Sequence, residues 1–347
     1  MAVIETGKNP TLLDLSKLRN PDGSAAKVVE ALSQSKALLR FLTFMEANDR
    51  LGHRSTIRAG LPEGTWRKLY QGVQPSSGTL VQVTDTLGEL VSYSEIDASL
   101  IELEDNAEAY MEREAYAHLE GMARQVEMAL FYGTETATPE QITGLTPRYN
   151  SLTAGNARNV IAAGGSGTDN TSIWMISSSE MSISGLVPRG AATGTSAGEE
   201  GHGVVRVTPK GQDSVQTGVG AAQGRFEAYV THYVARLGLA VRDWRAAVRI
   251  CNIDKSDLSP DGATGADLPN LMFEAMAKGY GYNNVPTGRT FWAMSADTLT
   301  TFQQQLSNKT KDSSLTVGDV GGYKTFMYMN TPIVISDVLE SDEALVT

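Results

Sequence analysis

At 347 residues, with 41% hydrophobic positions, 20% charged positions and 34 glycines, the chain is long enough for two or three domain-sized units and too apolar for wholesale disorder. The formal net charge of -11 argues against nonspecific nucleic-acid binding, which needs a surplus of Lys and Arg to displace counterions. A single cysteine (Cys251), no apolar stretch near the roughly 18 residues that span a bilayer, and no apolar signal core in residues 1–10 together predict a reducing cytoplasm and no membrane.

After the turn-like Asn20-Pro21-Asp22-Gly23, the residues Val28, Val29, Leu32, Leu38 and Leu39 recur at helical spacing. They predict one amphipathic helix within an N-terminal arm, residues 1–47. From Asn48 to Tyr93 the pattern changes to short runs broken by Gly60, Pro62, Gly64, Gly72, Pro75 and Gly78. Alternation at Thr79-Leu80-Val81-Gln82-Val83-Thr84 predicts a long β-hairpin over residues 48–93. It has too few apolar residues to build a core and needs a neighbouring surface.

Asp97 or Ser94 can cap the next element. Ile101, Ala107, Met111, Ala115, Leu119, Met122, Val126 and Leu130 keep steps of three or four, apart from one double step at the start. This spacing predicts one helix over 98–132, on the order of 50 Å long at 1.5 Å per residue, ending at Gly133. Its other face carries Glu102, Glu104, Asp105, Glu108, Glu112, Glu114, Glu120 and Glu127 against only Arg113 and Arg124. A solvated face accounts for such a run. The alternative is electrostatic docking, because Arg50, Arg54, Arg58, Arg67 and Lys68 concentrate positive charge in the hairpin of what could be a neighbouring copy.

Residues 134–144 read as a polar linker, and the glycine-rich turn at 164–170 leads into an apolar strand over 172–176. The Gly, Ala, Ser and Thr of 185–224 predict a long mobile loop with only a brief strand at 204–207. Strands are expected at 225–234, 238–241 and 246–250, then a helix at 268–278, a strand at 290–294, a helix at 296–306 and a closing strand at 331–336. The class is α+β, without a solenoid repeat.

Chemistry-bearing patterns are missing. His53, His118, His202 and His232 have no metal-ligand spacing, and neither a nucleophile elbow nor a phosphate-binding loop occurs. Gly218-Val219-Gly220-Ala221-Ala222-Gln223-Gly224 mimics a dinucleotide loop with one residue too many and precedes a strand. Neither an enzyme nor a cofactor is expected.

The order of arm, extended hairpin, long acidic-faced helix and α+β body resembles the tailed-bacteriophage major capsid proteins of the HK-ninety-seven type. Thr11-Leu12-Leu13-Asp14-Leu15, Gly52-His53-Arg54, Gly60-Leu61-Pro62, Thr65-Trp66-Arg67, Gln71-Gly72-Val73, Gly144-Leu145-Thr146-Pro147-Arg148-Tyr149-Asn150 and Val248-Arg249-Ile250-Cys251-Asn252-Ile253-Asp254 are similar to a podovirus branch of that family, the shell proteins of Bordetella and epsilon-fifteen phages.

The resemblance implies an extended loop at 48–93 that lies over a neighbouring subunit, a peripheral domain at 94–254 including a spine helix at 98–132, and an axial domain at 255–347. Because the long strands precede the C-terminal helices, a permuted connection is expected. It also implies a virion protein, assembled in the bacterial host cytoplasm, that forms pentamers and hexamers with itself around double-stranded DNA read without sequence specificity. Scaffolding and portal proteins are implied partners, and a cement or decoration protein is a further one. Candidate intersubunit contacts are Arg54, Arg58, Trp66, Arg67, Lys68, Tyr70, Glu108 and Glu112, with packing of Trp66 inside its own loop as the alternative for that residue. Lys68 also stands where some family members form a crosslink. An encapsulin-like compartment is the alternative on the same fold, and a surface binding module the alternative from another class.

Overall fold

The computed structural model describes residues 37–49, 52–103, 107–189, 205–217, 224–260, 262, 264–279, 288–309, 315–320 and 323–347. Most of the expected N-terminal helix lies outside them, and its described end is the short helix α1 (Ala37–Phe41). The chain divides into two compact units, each gathered from separate stretches.

One unit comprises residues 36–88, 128–190 and 237–347. Its centre is β5 (Asn170–Ser178), in which every residue is buried. The unbroken apolar run Ile173-Trp174-Met175-Ile176 suits a strand covered on both faces. β5 pairs antiparallel with β9 (Ala247–Asp254) on one side and β10 (Arg289–Met294) on the other. β4 (Val160–Ala162) extends the sheet beyond β9, and β13 (Thr331–Ile335) lies parallel beside β10. The helices α5 (Leu268–Lys278) and α6 (Ala296–Lys309) contribute Met272, Met276 and Phe302 to a core shared with Ile173, Met175, Val248, Ile250 and Trp292. Asp267 caps α5 by accepting from the Asn270 amide, and Gly279 ends it where a Cβ would collide with the Met175 methyl.

Residues 337–347 close this unit. Glu343 meets Arg249 at 2.8 Å with both side chains buried. Arg249 also donates to Ser172 Oγ and the Tyr149 carbonyl, and Tyr132 donates to the other Glu343 oxygen at 2.6 Å.

The same unit holds β1 (Phe44–Glu46) beside β6 (Ile183–Val187), and the hairpin formed by β2 (Gly52–Gly60) with β3 (Thr79–Asp97). Two strands that sequence reading missed, β11 (Leu315–Val320) and β12 (Tyr323–Tyr328), form an antiparallel pair joined to β13.

The second unit comprises, among the described residues, 89–103, 107–127, 205–217 and 224–236, so β3 runs into it from residue 89. Asp97 caps α2 (Ala98–Glu102) by accepting from the Ser99 amide at 2.9 Å. The helix expected over 98–132 is divided: α2 stops at Glu102, with Leu103 as its C-cap, and α3 spans Ala107–Tyr132. The double step from Ile101 to Ala107 marks this break, since six residues rotate the apolar stripe by roughly 120° out of line. Ile96, Leu100, Ile101 and Tyr110 form the local core.

The predicted mobile loop over 185–224 is corrected at both of its described ends, because residues 185–187 belong to β6. β7 (Val205–Thr217) is a full strand, paired antiparallel with β8 (Gly224–Val241) from Val205↔Ala235 to Thr217↔Gly224. Its Pro209, Gly211 and polar residues have low strand propensity, but the ladder with β8 supplies the hydrogen bonds that local preference does not. A bulge between Pro209 and Gly211, where Gly211 has φ +79, absorbs the misfit. Glu127 is also corrected: it is buried on α3, as is Val126 beside it, and does not stand on a solvated face.

Candidate subunit interface

The hairpin carries most of the candidate contacts. β2 and β3 pair from Gly52↔Thr86 to Arg58↔Leu80, and a bulge separates Arg58 from Gly60. Alternation places Arg54, Thr56 and Arg58 in solvent on one face. Asn48 extends the ladder: its amide nitrogen donates to the Arg54 carbonyl at 2.7 Å and its oxygen accepts from the Arg54 amide at 2.9 Å.

Residues 61–82 are all exposed. Trp66 and Tyr70 stand at 101% and 102% of full exposure, with Leu61 and Leu69 close behind. Trp66 therefore does not pack within its own loop. A turn from the Lys68 carbonyl to the Gln71 amide, 3.2 Å apart, places Tyr70 at φ +67. A tyrosine there is strained by about 1 kcal/mol relative to glycine and is thrust outward. The tip is tied otherwise by Ser76 Oγ donating to the Glu63 carbonyl.

The structure thus gathers Trp66, Arg67, Lys68 and Tyr70 at one tip and sets Arg54 and Arg58 on one strand face. Glu108 and Glu112, one helical turn apart on α3, are both exposed on the other unit.

Sequence reading missed the root of the hairpin. His53 and Asp85 stand opposite each other across the strands, and both are buried. Arg242 Nη2 lies 2.7 Å from His53 Nε2, and Arg148 Nη2 lies 2.8 Å from Asp85 Oδ1. Arg148, at the end of the short helix α4 (Leu145–Arg148), also donates to the Thr143 and Leu239 carbonyls. Glycines permit the close approach: a Cβ on Gly52 would lie 2.7 Å from the Asp85 carbonyl oxygen, and one on Gly238 the same distance from that of Thr86. Burial, and then the Arg242 charge, hold the His53 pKa below its usual value, while Asp85 pulls the other way. Only the partners in space reveal this cluster, because its four members lie in four separate stretches of sequence.

Beside the root, Ser55, Ile57, Arg58, Met181, Arg242 and Trp244 line an open hollow of about 760 Å³. No group of His, Cys, Asp and Glu side chains suited to a metal occurs among the described residues. Burial pushes the Cys251 thiol up to about 11, which leaves it protonated and unreactive.

Residues 20–347 match the family model described as major capsid protein GP7. The chain belongs to that family. A chain in the near-atomic cryo-electron-microscopy structure of bacteriophage Epsilon15 is 28% identical, with all of both chains covered and a TM-score of 0.72. A Microbacterium phage Oxtober96 structure is 10% identical, covering 69% of this chain and 98% of that one, at a TM-score of 0.42. The holo-SrpI encapsulin complex of Synechococcus elongatus is 11% identical, covering 69% of this chain and 94% of that one, at 0.43. No curated protein matches the chain.

The capsid protein has the HK-ninety-seven-type fold expected from its sequence, and it assembles with copies of itself into a bacteriophage shell. Its place is the virion. The encapsulin reading gives way, because the capsid family accounts for nearly the whole chain. No helix among the described residues is long and apolar enough to cross a membrane.

Proposed function

We propose that the hairpin is the arm by which each capsid subunit grips its neighbour, with Trp66, Arg67, Lys68 and Tyr70 as the gripping residues. The single supporting observation is the tip: a run of exposed residues that displays Leu61, Trp66, Leu69 and Tyr70, apolar surface that soluble proteins rarely leave uncovered. Arg54 and Arg58 then face Glu108 and Glu112 of an adjoining copy, a charge pairing that fixes register more than strength. Such head-to-tail contacts between identical subunits close into rings, here pentamers and hexamers of an icosahedral head.

Each contact is modest, and the shell is held by many at once. Residues 255–347 are proposed as the axial domain, and residues 94–254, which bear α3 and the β7–β8 pair, as the peripheral one. The role is structural and not enzymatic, in keeping with a protonated buried thiol and scattered histidines. The shell encloses double-stranded DNA without reading its sequence, as the net charge of -11 suits, and is built in the host cytoplasm. Scaffolding, portal and cement proteins complete the set of partners.

The test is sedimentation and negative-stain microscopy of the full chain beside the Trp66→Ala/Tyr70→Ala variant. Closed shells or regular rings from the parent are expected, with free subunits of unchanged circular dichroism from the variant. A variant that assembles at the same concentration as the parent would sink the arm assignment. A parent that stays monomeric and is not taken up by assembling phage lysate would sink the reading of self-assembly through the arm.

A further inference from the structure

Two arginines from the body reach the two strands of the hairpin at its root, one strand each. Arg242 meets His53 on β2 at 2.7 Å, and Arg148 meets Asp85 on β3 at 2.8 Å. His53 and Asp85 are opposed in the ladder, so the two links form a clamp across a single rung. Arg242 is itself fixed, because its other nitrogen donates to the Glu180 carbonyl at 2.7 Å.

The His53 ring is held between donors. Arg242 Nη2 faces Nε2, and the Asn48 backbone N–H faces Nδ1 at 3.3 Å. A neutral imidazole can accept at the shorter of these contacts, whereas an imidazolium has two N–H groups and no lone pair. Proton uptake therefore removes the acceptor and sets a cation against the Arg242 guanidinium. The charged groups around the ring are Arg242, Asp85 and, through Asp85, Arg148. Asp85 is already engaged by Arg148 and offsets the new charge only in part.

From this geometry we infer that Arg242 and Arg148 are positioning residues that set the direction of the hairpin, and that a proton on His53 opens the Arg242 side of the clamp. The inference rests on the hairpin being the intersubunit arm. A clamped root sends the arm out at one angle, so the tip reaches its neighbour with little ordering left to do; an unclamped root lets the arm swing. The clamp favours neutral His53, so its stabilising effect is complete above the ordinary histidine range near pH 6.5 and declines as pH falls below it.

Amide hydrogen exchange on the unassembled full chain tests this, read at residues 53–57 and 82–86 and corrected for the intrinsic effect of pH. Protection in β5 and β9 serves as the control for global folding. Between pH 7.5 and 5.5 the parent should lose protection at the root by up to about tenfold, with β5 unmoved. His53→Gln keeps an acceptor that does not titrate and should remove the pH step. Arg242→Met should leave the root open at both pH values.

A parent with no pH step, or His53→Gln with the same step, overturns the inference. So does Arg242→Met with parental protection. Should Arg242→Met lose β5 protection as well, the comparison of parent with His53→Gln decides. These rates are read before any shell forms, so a tip that fails to grip leaves them unchanged. A clamp that fails leaves the assembly test of Trp66 and Tyr70 standing.

Discussion

The hairpin and the β5–β9 core are both built from paired strands, yet they end in opposite conditions. β5 buries all nine of its residues, with β9 and β10 on its two sides. Most of β2 and the start of β3 have only each other, and residues 61–82 have nothing over them. Strand pairing satisfies the backbone in both places, but only the core also removes apolar surface from water. The stability of the subunit therefore resides in the core, whereas the hairpin offers the uncovered surface on which the proposed grip rests.

The sharpest way to break that contrast is to attack the core from within. Arg249→Met leaves the Glu343 carboxylate buried and unpaired, and should cost about 3–5 kcal/mol in urea unfolding. Arg249→Met/Glu343→Leu, which removes both charges, should recover most of that loss. A single variant as stable as the parent would show that the closing segment contributes little.

A smaller effect is expected at Tyr70→Gly. Removing a tyrosine from φ +67 should relieve about 1 kcal/mol of local strain, seen as slower proteolysis at the tip, while the lost ring weakens assembly. Opposite signs in the two measurements would mark a residue kept for contact at the expense of local comfort. The smallest effect belongs to Arg54→Glu/Arg58→Glu. Unfolding should move by less than about 0.5 kcal/mol, because both side chains are exposed, whereas assembly should slow and its response to salt should reverse, since added salt then screens repulsion between like charges. Unchanged salt dependence would remove these arginines from the contact.

The sequence was most legible where one physical influence dominated. The apolar run Ile173-Trp174-Met175-Ile176 announces a strand buried on both faces, and helix α5 matches its expected bounds because Asp267, Pro269 and Gly279 punctuate an amphipathic run. The hairpin was legible through its glycines and its alternation at 79–84. Legibility failed where a partner strand overruled local preference, as at β7, whose Pro209 and Gly211 read as loop but are carried by β8. It failed at Glu127 because an acidic run does not reveal which member turns inward. The clamp at the root was invisible for another reason: His53, Asp85, Arg148 and Arg242 acquire meaning only once folding brings them together.

Both regions carry tryptophan. Trp174 and Trp292 are sealed in the sheet unit, Trp244 is partly covered, and Trp66 stands wholly in water. The subunit thereby carries its own optical gauge: acrylamide should quench Trp66 in the free chain, and the quenchable fraction should fall as neighbours close over the tip. Shell growth could then be timed from intrinsic fluorescence, with no label attached to the tip.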